Sequence, residues 1–330
     1  MRALQISELS GPDAVAVVDV DRPEATTPLT PGSGVVIEVR AAGVSFPDVL
    51  QTRGLYQYKP DLPFVPGAEV AGVVLEAPED AGVAPGDRVT GFTLLGGMAE
   101  IAVAPAHLTF ALPEALDFAQ GAALLLNYHT AHFSLQLRGR LREGETVLVH
   151  GAAGGVGTAT LQVARGLGAR TIAVVSSDEK AQVARDAGAD EVLRVDEPWS
   201  KQAKELTGGG VDVVVDPVGG DRFTDSIRCL REGGRVVVVG FTAGDIPQVK
   251  VNRLLLGNTE IVGAGWGAYV MPRPDVAREI GEAVNALVDA GVVRPVVGAR
   301  FPLARAADAL KLIDSRGATG KVVLDVPGEA

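Results

Sequence analysis

Cysteine is nearly absent from this chain of 330 residues, where Cys229 stands alone. One thiol can form no intramolecular disulfide and no cysteine-built metal cluster, which suits a reducing cytoplasm. Histidine is scarce as well: of His107, His129, His132 and His150, only His129 and His132 are close in sequence, and no metal-ligating partner accompanies them. Basic charge falls short of acidic charge, with 30 Lys and Arg against 41 Asp and Glu and a formal net charge of -11, and like charges form no block. That balance offers no footprint for DNA or RNA, and a phosphorylated ligand would have to be held by a local cluster of donors against the overall field. No stretch approaches the ~18 apolar residues of a spanning helix, and Met1-Arg2-Ala3-Leu4-Gln5-Ile6-Ser7 contains no long apolar segment, so a cytoplasmic protein without a membrane partner is expected.

What the chain does have is 47% hydrophobic residues and 41 glycines, with few aromatics. This composition is common in α/β proteins whose helices approach a sheet closely, and the length suits two domains. Up to about Pro113 the pattern is short and interrupted. In Val35 to Ala41, Ile37 and Val39 oppose Glu38 and Arg40, the alternation of a half-buried strand. Turns at Thr30-Pro31-Gly32-Ser33-Gly34 and Ala84-Pro85-Gly86-Asp87 separate further runs at Val70 to Leu75 and Ala99 to Val103. This half reads as an irregular, partly barrel-like β module.

Beyond Asp117 the character changes. A helical stretch over 118–137 leads into apolar runs at Thr146 to Val149, Thr171 to Val175, Glu191 to Val195, Val211 to Val215, Arg235 to Val239 and Glu260 to Val262, spaced by helix-length segments. Runs apolar on both faces belong to a parallel sheet covered by helices. The remainder reads as a helix over 275–290, an extended piece over 296–301, a helix over 304–314 and a strand Lys321 to Asp325. Because the parallel sheet is then complete, this tail is expected to fold back onto the first module.

The sharpest signal is Gly151-Ala152-Ala153-Gly154-Gly155-Val156-Gly157, which follows the strand Thr146 to His150 and opens a helix. This is the context of a dinucleotide fingerprint: Gly154 lets the backbone approach a pyrophosphate, Gly157 lets the helix pack on the strand, and the helix N-H groups face the phosphates alongside Gly155 and Val156. Ala152 replaces the usual first glycine. About 20 residues further on, where NAD-binding folds carry an acidic residue for the ribose, the strand ends in Ser176 and Ser177, followed by Asp178, Glu179 and Lys180. Hydroxyls with a lysine one turn into the helix favour the 2′-phosphate of NADPH. A capping box of Ser176 and Glu179 accounts for the same residues structurally, and Asp178 leaves NADH open.

Several stretches in this order resemble the zinc-independent medium-chain dehydrogenases/reductases, particularly the NADPH:quinone oxidoreductases related to zeta-crystallin. They are Ala42 to Asp48, Gly54-Leu55-Tyr56, Pro63 to Gly72, Gly86-Asp87-Arg88-Val89, the glycine turn and Ser315-Arg316. The resemblance implies a Rossmann domain, a doubly wound parallel sheet over 121–267, inserted in a GroES-like, mostly β catalytic domain formed by 1–120 and 268–330. Zinc alcohol dehydrogenases share this framework, with ligands where this chain has Ser45, Ala68 and Leu126. None of the three is a good zinc ligand, so no metal is expected. Metal-free hydride transfer suits electron-poor acceptors such as quinones or α,β-unsaturated carbonyls, in which the developing charge spreads onto a conjugated oxygen.

The resemblance also implies site roles. Ser45 and Thr130 lie near the nicotinamide ribose; Gly240, Phe241, Gly265 and Trp266 line the nicotinamide through backbone groups; and Arg316 reaches the adenosine 2′-phosphate beside Lys180. Tyr56 and Ser45 are the expected catalytic residues, Tyr56 as proton donor with a pocket-wall role as its alternative. Asp48 is expected to anchor its loop, with a proton-relay role as its alternative, while His150 and Cys229 read as a strand-end and a buried packing residue. The expected function is NADPH-dependent reduction of quinones, with a 2-enoyl reductase as alternative and an NADPH-binding structural protein as a third reading. A homodimer is implied, pairing the last sheet strand near Ile261 to Ala264 with its copy.

Overall fold

Alternating apolar positions organise the N-terminal third of the chain into strands. In the computed structural model, which describes residues 1–26 and 34–327, these are β1 (Arg2–Ile6), β2 (Val15–Asp19), β3 (Gly34–Val44), β4 (Glu69–Glu76), β5 (Arg88–Phe92), β6 (Ile101–Pro105) and β7 (Thr109–Ala111). The long β3 buries nearly every side chain and leaves Glu38 and Arg40 partly exposed, as its alternation predicted. The turn expected at Thr30 to Gly34 lies, up to Ser33, outside the described residues. At the second turn, Asp87 Oδ2 accepts from Ala84 N at 2.8 Å, and Gly86 takes the positive φ of 93° that the tight turn requires.

A parallel sheet follows, built from β8 (Thr146–His150), β9 (Arg170–Val175), β10 (Glu191–Arg194), β11 (Val211–Asp216), β12 (Leu230–Val238) and β13 (Glu260–Gly263). These are the six expected runs, in spatial order β10-β9-β8-β11-β12-β13. The order reverses direction between β8 and β11, the topological switch point beside which open α/β sheets bind ligands. Central strand β11 is buried throughout because helices cover both faces. Its core joins Leu148, Ile172, Val214 and Val236 to Trp199, Phe223 and Ile227.

The tail then returns to the first module. Strands β14 (Val297–Pro302) and β15 (Lys321–Asp325) complete a mixed sheet of order β14-β15-β3-β4-β5-β7, with β6 also paired to β3. The pairing β15 to β3 is antiparallel and sets Val322 opposite Val44. The chain forms two compact units: one of Met1–Leu126, Val270–Glu282 and Pro295–Ala330, the other of Asn127–Tyr269 and Ala283–Arg294. The helix expected over 275–290 runs from Pro274 to Asp289. The one expected over 118–137 is instead a short helix, Phe118–Gly121, and a separate helical run. In that run π-turns at Leu125–His129 and Phe133–Arg138 flank Thr130–His132, a widening often found at functional sites. No helix among the described residues is long and apolar enough to cross a membrane.

One buried charge holds the second unit together. Arg235, 5% exposed on β12, grips the Glu145 carboxylate with both guanidinium nitrogens at 2.8 and 2.5 Å and donates through Nε to Gly139 O. Burial opposes ionisation of Glu145, but the bonds from Arg235 and from Arg142 N outweigh it and hold the carboxyl below its ordinary value. A depressed folded value contributes stability above the unfolded pKa, and that contribution is lost as pH falls through the folded one. Arg235→Met is therefore predicted to cost about 1–3 kcal/mol through loss of the charge-assisted hydrogen bonds to the partly buried Glu145. It should also flatten the stability loss below the unfolded-state value near 4.5, as denaturant melts between pH 3 and 7 would read.

Candidate functional site

The second unit presents the glycine turn at the carboxyl end of β8. Gly151 has a positive φ of 57°, and the helix Gly155–Gly166 starts at Gly154 without a side-chain cap. The glycines differ in what they do. A Cβ on Gly157 would lie 2.2 Å from Gly151 O and 2.7 Å from Ala152 Cα, so its absence lets the helix sit against the turn. A Cβ on Gly154 would meet only Gly151 O, at 3.3 Å. Internal packing thus makes little demand for glycine at 154, whereas close approach of a pyrophosphate to the backbone does. With uncapped N-H groups at the helix start, the turn fits a dinucleotide phosphate. Asn127, which sequence reasoning passed over, is buried with its carboxamide 2.6 Å from where a Gly155 Cβ would stand. Its signal was positional only, since it lies in the helical run that packs beside the glycine helix.

At the end of β9, Ser177 rather than Ser176 caps the next helix: its Oγ accepts from Lys180 N at 3.2 Å. The expected capping box of Ser176 and Glu179 is therefore displaced by one residue, because β9 remains extended through Val175 and the helix begins at Asp178. The displacement leaves the exposed Ser176 outside the cap, with Oγ 3.5 Å from Lys180 Nζ. A second cation stands here that the sequence reading did not name. Arg194, at the end of β10, pairs with Asp178 and donates to Ser176 O at 3.2 Å. It balances the carboxylate that had kept NADH open, and only the parallel pairing of β10 with β9 reveals it.

Other expected residues of this unit are placed as follows. Thr130 is 7% exposed in the helical run that packs on the glycine helix. Gly240 and the exposed Phe241 follow β12, where Gly240 N points to Asp216 O at 3.4 Å. Gly265 is exposed with nothing near its missing Cβ, and Trp266 is buried edge-on against His129, ring centroids 6.0 Å apart. His150 is fully buried, bonded through Nε2 to Ser226 Oγ at 2.8 Å, and burial pulls its pKa down to about 4. Cys229 is buried too, and that burial pushes its thiol up to about 12.

The first unit gathers a compact polar cluster around the N-terminus of the helix Phe46–Gln51. Ser45 precedes this helix, and buried Asp48 accepts from Ser45 N at 2.7 Å, the local anchor expected of it. Burial raises Asp48 to about 6, although its bond to Ser45 and the charge of Lys321 pull the other way. Half-buried Tyr56 has its phenol pushed up by burial and by the charge of Asp48, so it stays neutral and able to donate. Beneath Ser45 lies an ion pair that no local pattern announces. Lys321 on β15 and Glu69 on β4 touch at 3% and 1% side-chain exposure, Lys321 Nζ donates to Ser45 Oγ at 2.7 Å, and Leu126 N donates to Glu69 Oε2 at 2.6 Å. Gly43 packs tightly here, since a Cβ there would stand 2.4 Å from Ala122 O, 2.5 Å from Glu69 Oε1 and 2.6 Å from Lys321 Cε. Arg316, with a positive φ of 59° just past the helix Ala306–Asp314, is exposed in this same unit.

The positions that hold zinc in the alcohol dehydrogenase framework do not fit the metal here. Ser45 offers a hydroxyl already bonded to an ammonium, while Ala68 and Leu126 offer no side-chain donor. A divalent ion beside Lys321 would meet like charge at close range.

Comparison with known proteins agrees with this architecture. Residues 31–114 match the alcohol dehydrogenase GroES-like domain, and residues 155–285 match the family described as zinc-binding dehydrogenase. The chain is 39% identical over 297 residues to a quinone oxidoreductase-like protein 2 of Bos taurus, covering 88% of this chain and 85% of the relative. Among solved structures it is similar to a probable oxidoreductase from Mycobacterium abscessus, 44% identical with a TM-score of 0.89 and 98% of each chain covered. It is also similar to the quinone oxidoreductase of Thermus thermophilus, solved with NADPH, at 35% identity and a TM-score of 0.82 over 98% of this chain and 100% of the other. Both domain types, joined in this order and matched over nearly the full length by these relatives, mean that the chain belongs to the medium-chain dehydrogenase/reductase family, in its quinone oxidoreductase branch.

Proposed function

We propose that this protein is an NADPH:quinone oxidoreductase that transfers hydride without a metal. The observation that carries the reading is the half-site at Ser45, which offers hydrogen-bond donors, while the framework zinc positions Ser45, Ala68 and Leu126 carry no good zinc ligand. A ketone without conjugation needs a Lewis acid or strong proton donor, whereas a quinone spreads the incoming charge over its ring and second oxygen. The reading of the cofactor rests on the open face of Gly154, on Lys180 Nζ beside Ser176 Oγ, on Arg194 balancing Asp178, and on the NADPH complex of the Thermus relative.

When bound, NADPH supplies the hydride. The backbone at Gly154, Gly155, Val156 and Gly157 holds the pyrophosphate, and Ser176, Ser177, Lys180 and Arg316 hold the 2′-phosphate. Thr130 and Ser45 orient the nicotinamide ribose, with Gly240, Phe241, Gly265 and Trp266 beside the ring. Tyr56, kept neutral by burial, donates its phenolic proton to the acceptor oxygen as charge develops there.

The assembly we infer is a homodimer. Strand β13 is the outer strand of its sheet, and the preceding helix Asn252–Gly257 leaves Leu255 76% and Leu256 81% exposed. An open strand edge beside bare leucines suits burial against a second copy. A cytoplasmic location fits the single, buried thiol.

Three measurements test these readings. Steady-state turnover of a quinone panel against enones and enoyl-thioesters should favour the quinones, and activity confined to the alkenes would transfer the assignment to ene reduction. Lys180→Ala should raise KM for NADPH by the equivalent of roughly 1.5–3 kcal/mol while leaving NADH nearly unchanged, through loss of a charge-assisted phosphate contact. Leu255→Lys with Leu256→Lys should shift the mass found by light scattering from dimer to monomer.

A further inference from the structure

We propose that Lys321 is a positioning residue for catalysis, a resident cation whose ammonium orients the Ser45 hydroxyl so that its proton faces the acceptor oxygen. The proposal rests on the hydride-transfer reading above and adds a group to its machinery. The direction of the bond carries it. An ammonium has donors and no acceptor, so across the 2.7 Å contact Lys321 Nζ donates and Ser45 Oγ accepts. The serine proton is thereby turned away from Lys321, and a hydroxyl that accepts from a cation is a stronger donor in turn.

The surroundings are built to keep that cation in place. Glu69 pairs with Lys321 from β4, and its other oxygen is held by Leu126 N. Asp48 fixes the backbone of Ser45 through Ser45 N. Lys321 and Glu69 are almost wholly buried, whereas Ser45 is only half-buried, so the charge reaches the partly open surface through the serine alone among the contacts described. A salt bridge needed only for stability would not require a third partner at the mouth of the cluster, and apolar residues often serve a core as well. The three positions that carry zinc in related alcohol dehydrogenases bear on this one ammonium: Ser45 directly, Ala68 as the neighbour of Glu69, and Leu126 through Glu69.

The test is a double-mutant cycle on the full-length protein. Glu69→Gln with Lys321→Met removes both charges together and strands neither; circular dichroism reports the fold, and fluorescence titration reports the Kd for NADPH. With fold and Kd retained, kcat is expected to fall by about tenfold or more, and the fall should shrink to less than about twofold in a Ser45→Ala background, because contacting groups are not additive. If the neutralised pair does not fold, Lys321→Arg keeps the charge against Glu69 and enters the same cycle, with its kcat change confined to the Ser45 background. An unchanged kcat, or an equal loss with and without Ser45, overturns the proposal. Failure of the hydride-transfer reading is distinct, since the unmodified protein would then turn over neither the quinones nor the alkenes.

Discussion

The antiparallel pairing of β15 with β3 is the constraint on which the first unit depends. It joins residues from opposite ends of the chain, setting Val322 against Val44 and Leu324 against Ala42, and the central core of the unit includes apolar side chains from both strands. The same register decides where Lys321 falls, one residue before Val322 and therefore just beyond Val44, at Ser45. A slip of one residue would turn every side chain of β15 to the opposite face and draw the ammonium away from Glu69. Fold and polar cluster are consequences of one hydrogen-bonded ladder, which closes across a sequence gap that holds the whole second unit.

The second unit solves a different problem, how an acidic protein offers a place for a phosphate. With a net charge of -11 the overall field repels an anion, so attraction must be short-ranged. Backbone amides at the glycine turn supply part of it at no cost in formal charge. At the end of β9, Arg194 pairs with Asp178, and the ammonium of Lys180 lies beside Ser176. The parallel neighbour β10 delivers Arg194, so the charge at this strand end is set by two strands and not by β9 alone.

Much of the fold was legible because its signals are periodic and local. Six apolar runs, the tail strand Lys321 to Asp325 and the glycine turn each carry their structure within a few residues. What escaped reading is non-local. Glu69 and Lys321 are the first residues of their strands, each of which ends on a further charge, and nothing near either announces a partner on the other. Arg194 was hidden in the same way, and Asn127 looked like any polar residue in a helix. The slip from Ser176 to Ser177 as helix cap has a smaller cause: two adjacent serines satisfy the same capping chemistry, and only the strand length chooses between them. The π-turns around Thr130 had no sequence signature, since an extra residue per turn changes the hydrophobic period too little to see.

On the proposed reading, the cluster at Ser45 does by other means what zinc does in the alcohol dehydrogenase framework. A zinc ion acts on an oxygen directly and carries two charges, enough to stabilise a localised alkoxide. An ammonium reaching the oxygen through a serine carries one charge and acts at one remove. Such a group meets the smaller demand of an acceptor whose charge is already delocalised. Gly43 belongs to the same arrangement, since a Cβ there would meet Ala122 O as well as the Lys321 and Glu69 side chains. On this view the site is a different electrostatic solution, built from a lysine buried at a strand end.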